Sequence, residues 1–273
     1  MDRNSLLFGM TGFGACAEEI FSSTFGTGAE NINENVIVSP GWPPERLFDR
    51  ENITQIVGAS PLFEYKVWDI RCGSGSVSYV NTGFGAPVVT DALLLLGLTG
   101  CRKILFVSSV GALSAEIKIW DIVIPEYSAS GDGASRFLSE DMKRDIFGEK
   151  NYPNAEMSEL LVNETARLCN EKNAGWHMGR TFCTDTIVGQ YGHLESIIKM
   201  GYNSIDMESA AAFRTAKIMG ISIAALLLVS DNSAARKSLM TSAASRIGSE
   251  EQEYRQFVRG EIMPQIIRAA FFK

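Results

Sequence analysis

Short apolar runs punctuate this chain and change character from one to the next. Val36-Ile37-Val38 is a β-branched run closed by Ser39-Pro40-Gly41, which predicts a strand entering a turn. Val67 to Ile70 and Val77 to Val80 flank Gly73-Ser74-Gly75 and predict a β-hairpin. Val88 to Leu98 is an apolar run long enough for a buried helix. Lys103 to Val107, Trp120 to Ile124 and Ile221 to Val229 read as strands, and Ser158–Glu171 and Ser209–Met219 as helices. Leu160, Leu161, Ala166 and Leu168 fall on or near one face of the first of these helices. A polar segment covers 181–195. The last helix, about Glu250–Ala270, is amphipathic and admits Pro264 only with a kink or break.

The strands are continuously apolar and alternate with helices, which predicts a sheet covered on both faces. The expected fold is α/β: a three-layer αβα sandwich around a mostly parallel twisted sheet. Residues 1–34 are rich in Gly and Ser and weakly patterned, so they read as an N-terminal extension before one domain over 35–273. No repeat, low-complexity tract or linker interrupts that domain.

Composition narrows the function classes. A formal charge of −7 argues against a nucleic-acid groove, which needs a basic face. The five cysteines show no Cys-x-x-Cys spacing and there are two histidines, so no metal cluster and no cofactor are expected. Free thiols fit a reducing compartment. Arg3, Leu6-Leu7-Phe8 and Ala15-Cys16 have a faint signal-peptide order, but Gly9, Gly12 and Gly14 break the apolar run and Glu18-Glu19 follow. No apolar stretch approaches the roughly 20 residues of a membrane helix. The expectation is a cytoplasmic protein with neither membrane nor nucleic-acid partners.

Small and polar residues gather where strands should end, the usual place for ligands in such sheets. They are Pro40-Gly41, Gly83-Phe84-Gly85, Ser108-Ser109-Val110-Gly111 and Val229-Ser230-Asp231-Asn232, with Ile205-Asp206-Met207-Glu208-Ser209 at a helix entrance. Taken singly, Asp206, Ser209 and Asp231 could be caps and Met207 core filling.

Taken together and in this order, they resemble the nucleoside phosphorylase superfamily of purine nucleoside and uridine phosphorylases, methylthioadenosine nucleosidases and AMP nucleosidase. The resemblance covers roughly residues 35–270. Pro40-Gly41 is similar to the family's first phosphate-side turn, Gly83-Phe84-Gly85-Ala86-Pro87 to its Gly-x-Gly-x-Pro loop, and Lys103 to Ala112 to the strand and turn beside the anion site. Thr181-Phe182-Cys183-Thr184-Asp185 resembles the segment whose aromatic ring faces the base. Ile205 to Ala210 and Leu228-Val229-Ser230-Asp231 match the two most specific motifs, and the Asp-Met-Glu-Ser form looks like AMP nucleosidase.

The resemblance implies cleavage of the N-glycosidic bond of a nucleoside or nucleotide. Glu208 would accept hydrogen bonds from the ribose hydroxyls near the developing oxocarbenium charge, with Met207 under the sugar. Asp231 would protonate or hydrogen-bond a purine ring nitrogen, help worth ~10²–10⁴-fold. Phe182 would abut the base, and Ser109 and Gly41 would lie at the anion site. Gln190 stands where uridine phosphorylases read uracil, but their arginine two positions later is here Gly192, so Gln190 reads equally as a loop residue and a purine is favoured.

Phosphorylases hold phosphate with arginines. Phe106 stands at one such position, Glu45 at another with Arg46 one residue beyond, and Ser60-Pro61 at a third. With those guanidinium donors gone, water is favoured as nucleophile over phosphate. The alternative is a phosphorylase whose anion site uses Arg46, Ser109 and backbone amides. A non-catalytic relative should have lost Glu208 or Asp231, and a dinucleotide oxidoreductase would need a Gly-x-Gly-x-x-Gly turn that is missing here. The resemblance also implies a homo-oligomer, a hexamer or dimer.

Overall fold

The computed structural model describes residues 1–72, 75–237 and 248–272. Strands β1 (Asn35–Ser39), β2 (Ile53–Val57), β3 (Lys66–Cys72), β4 (Gly75–Asn81), β5 (Lys103–Ala112), β6 (Ile122–Gly131), β7 (Lys150–Asn151), β8 (Trp176–Thr184), β9 (Ser204–Asp206) and β10 (Ser222–Asn232) form one sheet. Around it lie α1 (Arg3–Gly12), α2 (Ala17–Phe25), α3 (Ala86–Leu96), α4 (Ala155–Lys172), α5 (Leu194–Lys199), α6 (Ser209–Met219), α7 (Ser249–Phe257) and α8 (Met263–Phe271).

The α/β architecture expected from the sequence is present, with helices on both faces of a central sheet. Parity along the strands builds the two cores. Val36, Val38, Ile104, Phe106, Ala225 and Leu227 face one way, onto α3 and α6. Ile37, Leu105, Val107, Ala224, Leu226 and Leu228 face the other, onto α4 and α8. Strands buried on both faces need no polar alternation, which is why they read as continuous apolar runs.

The sheet is more mixed than those runs suggest. β5 pairs in parallel with β1 and β10, but β10 meets β6 antiparallel, and β9 meets β5 antiparallel. Because β6–β8 and β8–β9 also pair, strands β5, β10, β6, β8 and β9 close a ring, while β1, β4, β3 and β2 continue as an open sheet. The predicted hairpin is β3–β4, in antiparallel register Ile70↔Val77. Two residues of its turn, Gly73 and Ser74, lie outside the described residues.

Several boundaries differ from the sequence reading for identifiable reasons. Trp120 has a φ of 73°, so the chain turns there and β6 begins only at Ile122. Asn154 accepts a 3.0 Å hydrogen bond from the Met157 amide and starts α4 ahead of Ser158. The start of the polar segment 181–195 is the end of β8. The final helix is interrupted by a π-helical turn, Val258–Ile262, directly ahead of Pro264, whose ring cannot accept the regular α geometry of the preceding turn. In the N-terminal segment no residue of α1 is fully buried, although Leu6 packs against the core, whereas α2 sinks Phe21 and Phe25 into it beside Tyr65.

Candidate active site

The edge of β5 that faces away from β10 is shared. Lys103 to Phe106 pair with β1, whereas Gly111 and Ala112 pair with β9. Between them the two neighbours diverge, and in an open α/β sheet such a divergence makes a crevice. A cavity of about 350 Å³ opens here, lined by Gly41, Ser109, Gln190, Met207, Glu208 and Asp231 among others. Six of the seven residues singled out in the sequence therefore meet in one hollow.

Phe182 is the exception. It is buried between Phe147 and Tyr202, with ring centroids 5.6 and 5.2 Å away, and does not line the cavity. Successive side chains on a strand point to opposite sides. Cys183, the next residue of β8, is the one that hydrogen-bonds to Asp206. The apolar wall comes instead from Ile187, just past the end of β8, and from Phe84. Trp42 and Arg46 also line the cavity, whereas Phe106 is fully buried in the α3–α6 core. Arg46 is one residue beyond the expected position, a slip that a short 3₁₀ turn at Pro44–Arg46 accommodates. Neither Trp42 nor Ile187 carries a signal that separates it from ordinary packing residues.

Each polar group is held by its own local structure. Glu208 is the N-cap residue of α6, and its Oε1 accepts a 2.7 Å hydrogen bond from the Gly85 amide. Gly85 has a φ of 104°, a conformation that favours glycine, and this turn aims its N–H at the carboxyl group. Asp206 accepts from the Ser209 amide at 3.2 Å, so it does cap α6, while its Oδ1 is buried without a hydrogen-bond partner among the described residues. Burial, and then the charge of Asp206, push the Glu208 carboxyl up to about 8. Burial likewise pushes Asp206 up to about 6, against the hydrogen bonds from Ser209 and Cys183.

Asp231 follows a register shift in the β5–β10 ladder between Val229 and Asp231. Such a bulge re-aims a side chain. The Asp231 Oδ1 accepts from the Ser230 hydroxyl at 2.9 Å. On β5, Ser109 accepts a 3.1 Å hydrogen bond from the Trp42 indole N–H, and the Trp42 carbonyl accepts from the Tyr79 hydroxyl at 2.8 Å. Gly41 leaves room for the Phe84 ring, into which a Cβ would run.

A larger hollow of about 870 Å³ lies beside Asp121 and His177 and is lined by none of the seven candidate site residues. Asp121 is engaged there by His177 at 2.8 Å and by the Lys118 amide at 2.9 Å.

A mixed α/β sheet with a partly closed half thus carries two carboxylates, Asp206 and Glu208, at a helix entrance beside one cavity. The family model of the phosphorylase superfamily matches residues 38–256, and the chain belongs to that superfamily. Among relatives, it is 28% identical over 203 residues to a DeoD-type purine nucleoside phosphorylase of Aliivibrio salmonicida, covering 72% of this chain and 80% of that protein. It is 24% identical over 157 residues to the DeoD-type protein of Bacillus velezensis, covering 57% of this chain and 64% of that one. Two structures of uridine phosphorylase from Vibrio fischeri share the fold, with TM-scores of 0.66 and 0.67 over 89% of this chain and 92% of theirs, at 18% identity. Among the described residues no helix is long and apolar enough to cross a membrane.

Proposed function

We propose that this chain cleaves the N-glycosidic bond of a purine nucleoside by phosphorolysis. The observation that carries this reading is that Arg46 and Ser109 line the same cavity as Glu208 and Asp231. The sequence alone favoured water because Phe106 and Glu45 stand where arginines were expected. Arg46 restores a guanidinium donor to the cavity, and the similarity to purine nucleoside phosphorylases points the same way. The Asp-Met-Glu-Ser form and the residue at 106 still favour the nucleosidase as the second reading.

In the proposed reaction a phosphate oxygen forms a bond to C1′ as the C1′–N bond breaks. The electron pair of that bond passes to the purine, whose ring nitrogen takes a proton or hydrogen bond from Asp231, steadied by Ser230. Glu208 is fixed through Oε1 by Gly85, which leaves Oε2 for the ribose hydroxyls. Met207 packs under the sugar. In its ionised form, a buried Glu208 carboxylate close to C1′ stabilises the developing positive charge more strongly than one in water.

The test is a panel of purine nucleosides incubated with and without phosphate, with the sugar product weighed by mass spectrometry. Ribose 1-phosphate that forms only with phosphate is the expected result. Free ribose at an undiminished rate in phosphate-free buffer would return the hydrolytic reading.

A further inference from the structure

Trp42 forms a stiff part of the cavity wall. It is 5% exposed and belongs to the core that holds Leu47, Tyr79 and Val107. Its carbonyl accepts from the Tyr79 hydroxyl at 2.8 Å and from the Asn81 Nδ2 at 3.2 Å. The same Asn81 nitrogen donates to the carbonyls of Ser39 and Pro40 at 2.9 and 3.3 Å, so it ties the whole turn together. Pro43 and Pro44 follow, and each fixes one backbone angle. A residue ahead of proline is itself kept to extended backbone. The indole is thus held from both sides, with its N–H directed at the Ser109 hydroxyl oxygen 3.1 Å away.

That contact decides where the Ser109 hydrogen goes. An indole nitrogen donates and cannot accept, whereas a hydroxyl does both. Ser109 is therefore the acceptor, and its side chain makes no other hydrogen bond among the described residues. Its own hydrogen is left for the cavity, which Ser109 lines together with Trp42, Glu208 and Asp231. Ser230 lines the same cavity but is already committed, giving its hydrogen to the Asp231 Oδ1 at 2.9 Å. A phosphate oxygen and a water molecule answer a fixed donor differently. An unprotonated phosphate oxygen only accepts, and while it does so another oxygen on the same phosphorus is free to attack. A hydrogen bond donated to an attacking water occupies electrons that the new bond needs, and water has no second oxygen to offer.

We infer that Trp42 is a positioning residue that holds the Ser109 hydroxyl as a donor and thereby favours phosphate over water as the nucleophile. This rests on the phosphorolytic reading and assigns part of the choice of nucleophile to an indole N–H. Trp42 acts through Ser109, so removing its N–H should matter only while that hydroxyl is present.

Two replacements in the full-length protein remove the N–H: Trp42→Phe, and exchange of the Trp42 indole for benzothiophene, which keeps the bicyclic shape. Each is compared with the natural protein, with Ser109→Ala and with the double variant, on a purine nucleoside over a range of phosphate concentrations. Circular dichroism checks the fold of every protein. Loss of the N–H should raise KM for phosphate about fivefold, the worth of one hydrogen bond, and move KM for the nucleoside less than about twofold. Free ribose, read by mass against ribose 1-phosphate, should rise by a similar factor. Ser109→Ala should raise KM for phosphate at least as much, and in that background loss of the N–H should change nothing further. An equal effect with and without Ser109 would overturn the inference. So would an unchanged KM for phosphate and product ratio in the folded benzothiophene protein. Free ribose from the natural protein at an undiminished rate without phosphate would instead defeat the phosphorolytic reading, and the inference with it.

Discussion

Glu208 carries a proton in the folded protein over a pH range where an exposed glutamate does not. Its carboxyl is raised from 4.5 to about 8, so between those values the native state binds more protons than the unfolded chain. Stability from this group is therefore lost as the pH rises through that window. Glu208→Gln removes the liability, and its melting temperature relative to the natural protein should improve from pH 5 to pH 9 by the equivalent of about 1 kcal/mol or more. A difference that stays constant with pH would show that the group does not titrate in that range. Catalysis should suffer in the same variant. Asp231→Asn should lower kcat about 10²-fold or more with little change in KM, since its proposed work is done only as the base departs. Turnover surviving within a fewfold would remove Asp231 from the reaction. Most of these side chains were readable because Asp-Met-Glu-Ser and Val-Ser-Asp are unusual strings at strand ends. Ile187 was not, because an isoleucine after a strand looks like any packing residue, and Phe182 was singled out through the resemblance of residues 181–185 to the family's base-facing segment. Strand parity, which no local string reveals, decides which of such neighbours faces the ligand.

Between side chain and fold stand the short segments that aim these groups. The turn at Gly85 joins β4 to α3 and presents its amide to Glu208. A Cβ at Gly85 would meet Pro87 only at an ordinary 3.7 Å, so the obstacle to alanine is the φ of 104°. Gly85→Ala should cost about 1–3 kcal/mol of stability and lower kcat/KM by loosening Glu208. Both are measurable on one preparation by thermal melting and steady-state kinetics, and an unaltered kcat/KM would separate the turn from the carboxyl group. Helices α3 and α6 and the β3–β4 hairpin were readable from periodicity and turn residues alone. The kink near Pro264 was expected too, though its π-helical form was not, because the sequence rule states only that regular α geometry must fail there. Strands β7 and β9 escaped notice because they are two and three residues long and are specified by their neighbours in the sheet.

The most deeply buried anchors of the N-terminal segment are two aromatic side chains. Phe21 and Phe25 are 2% and 0% exposed and stack with ring centroids 4.5 Å apart. Truncating either to alanine should cost about 3–5 kcal/mol, whereas deleting residues 1–12, which contribute the half-buried Leu6 and the Arg3–Gly97 hydrogen bond, should lower the melting temperature far less. A variant lacking Phe25 that melts like the natural protein would show that α2 is dispensable. Phe84 is 73% exposed although it lines the cavity, and Val188 is 70% exposed close to Gln190. Their cover should be a second copy of the chain, so sedimentation is expected to give a dimer or hexamer. An active monomer would leave those side chains without a purpose. The closed ring of β5, β10, β6, β8 and β9 bears on how substrate enters. An open sheet can fray from its border inward, but a hoop of mutually bonded strands has no border from which to start. Access must come from the rim: the Phe84 turn and the stretch through Ile187 and Gln190. Amide exchange should therefore be fast at those two places and slow along β5 and β10, with a gap of orders of magnitude between them. Ligand would then be admitted by two hinged shutters set in a frame that does not open.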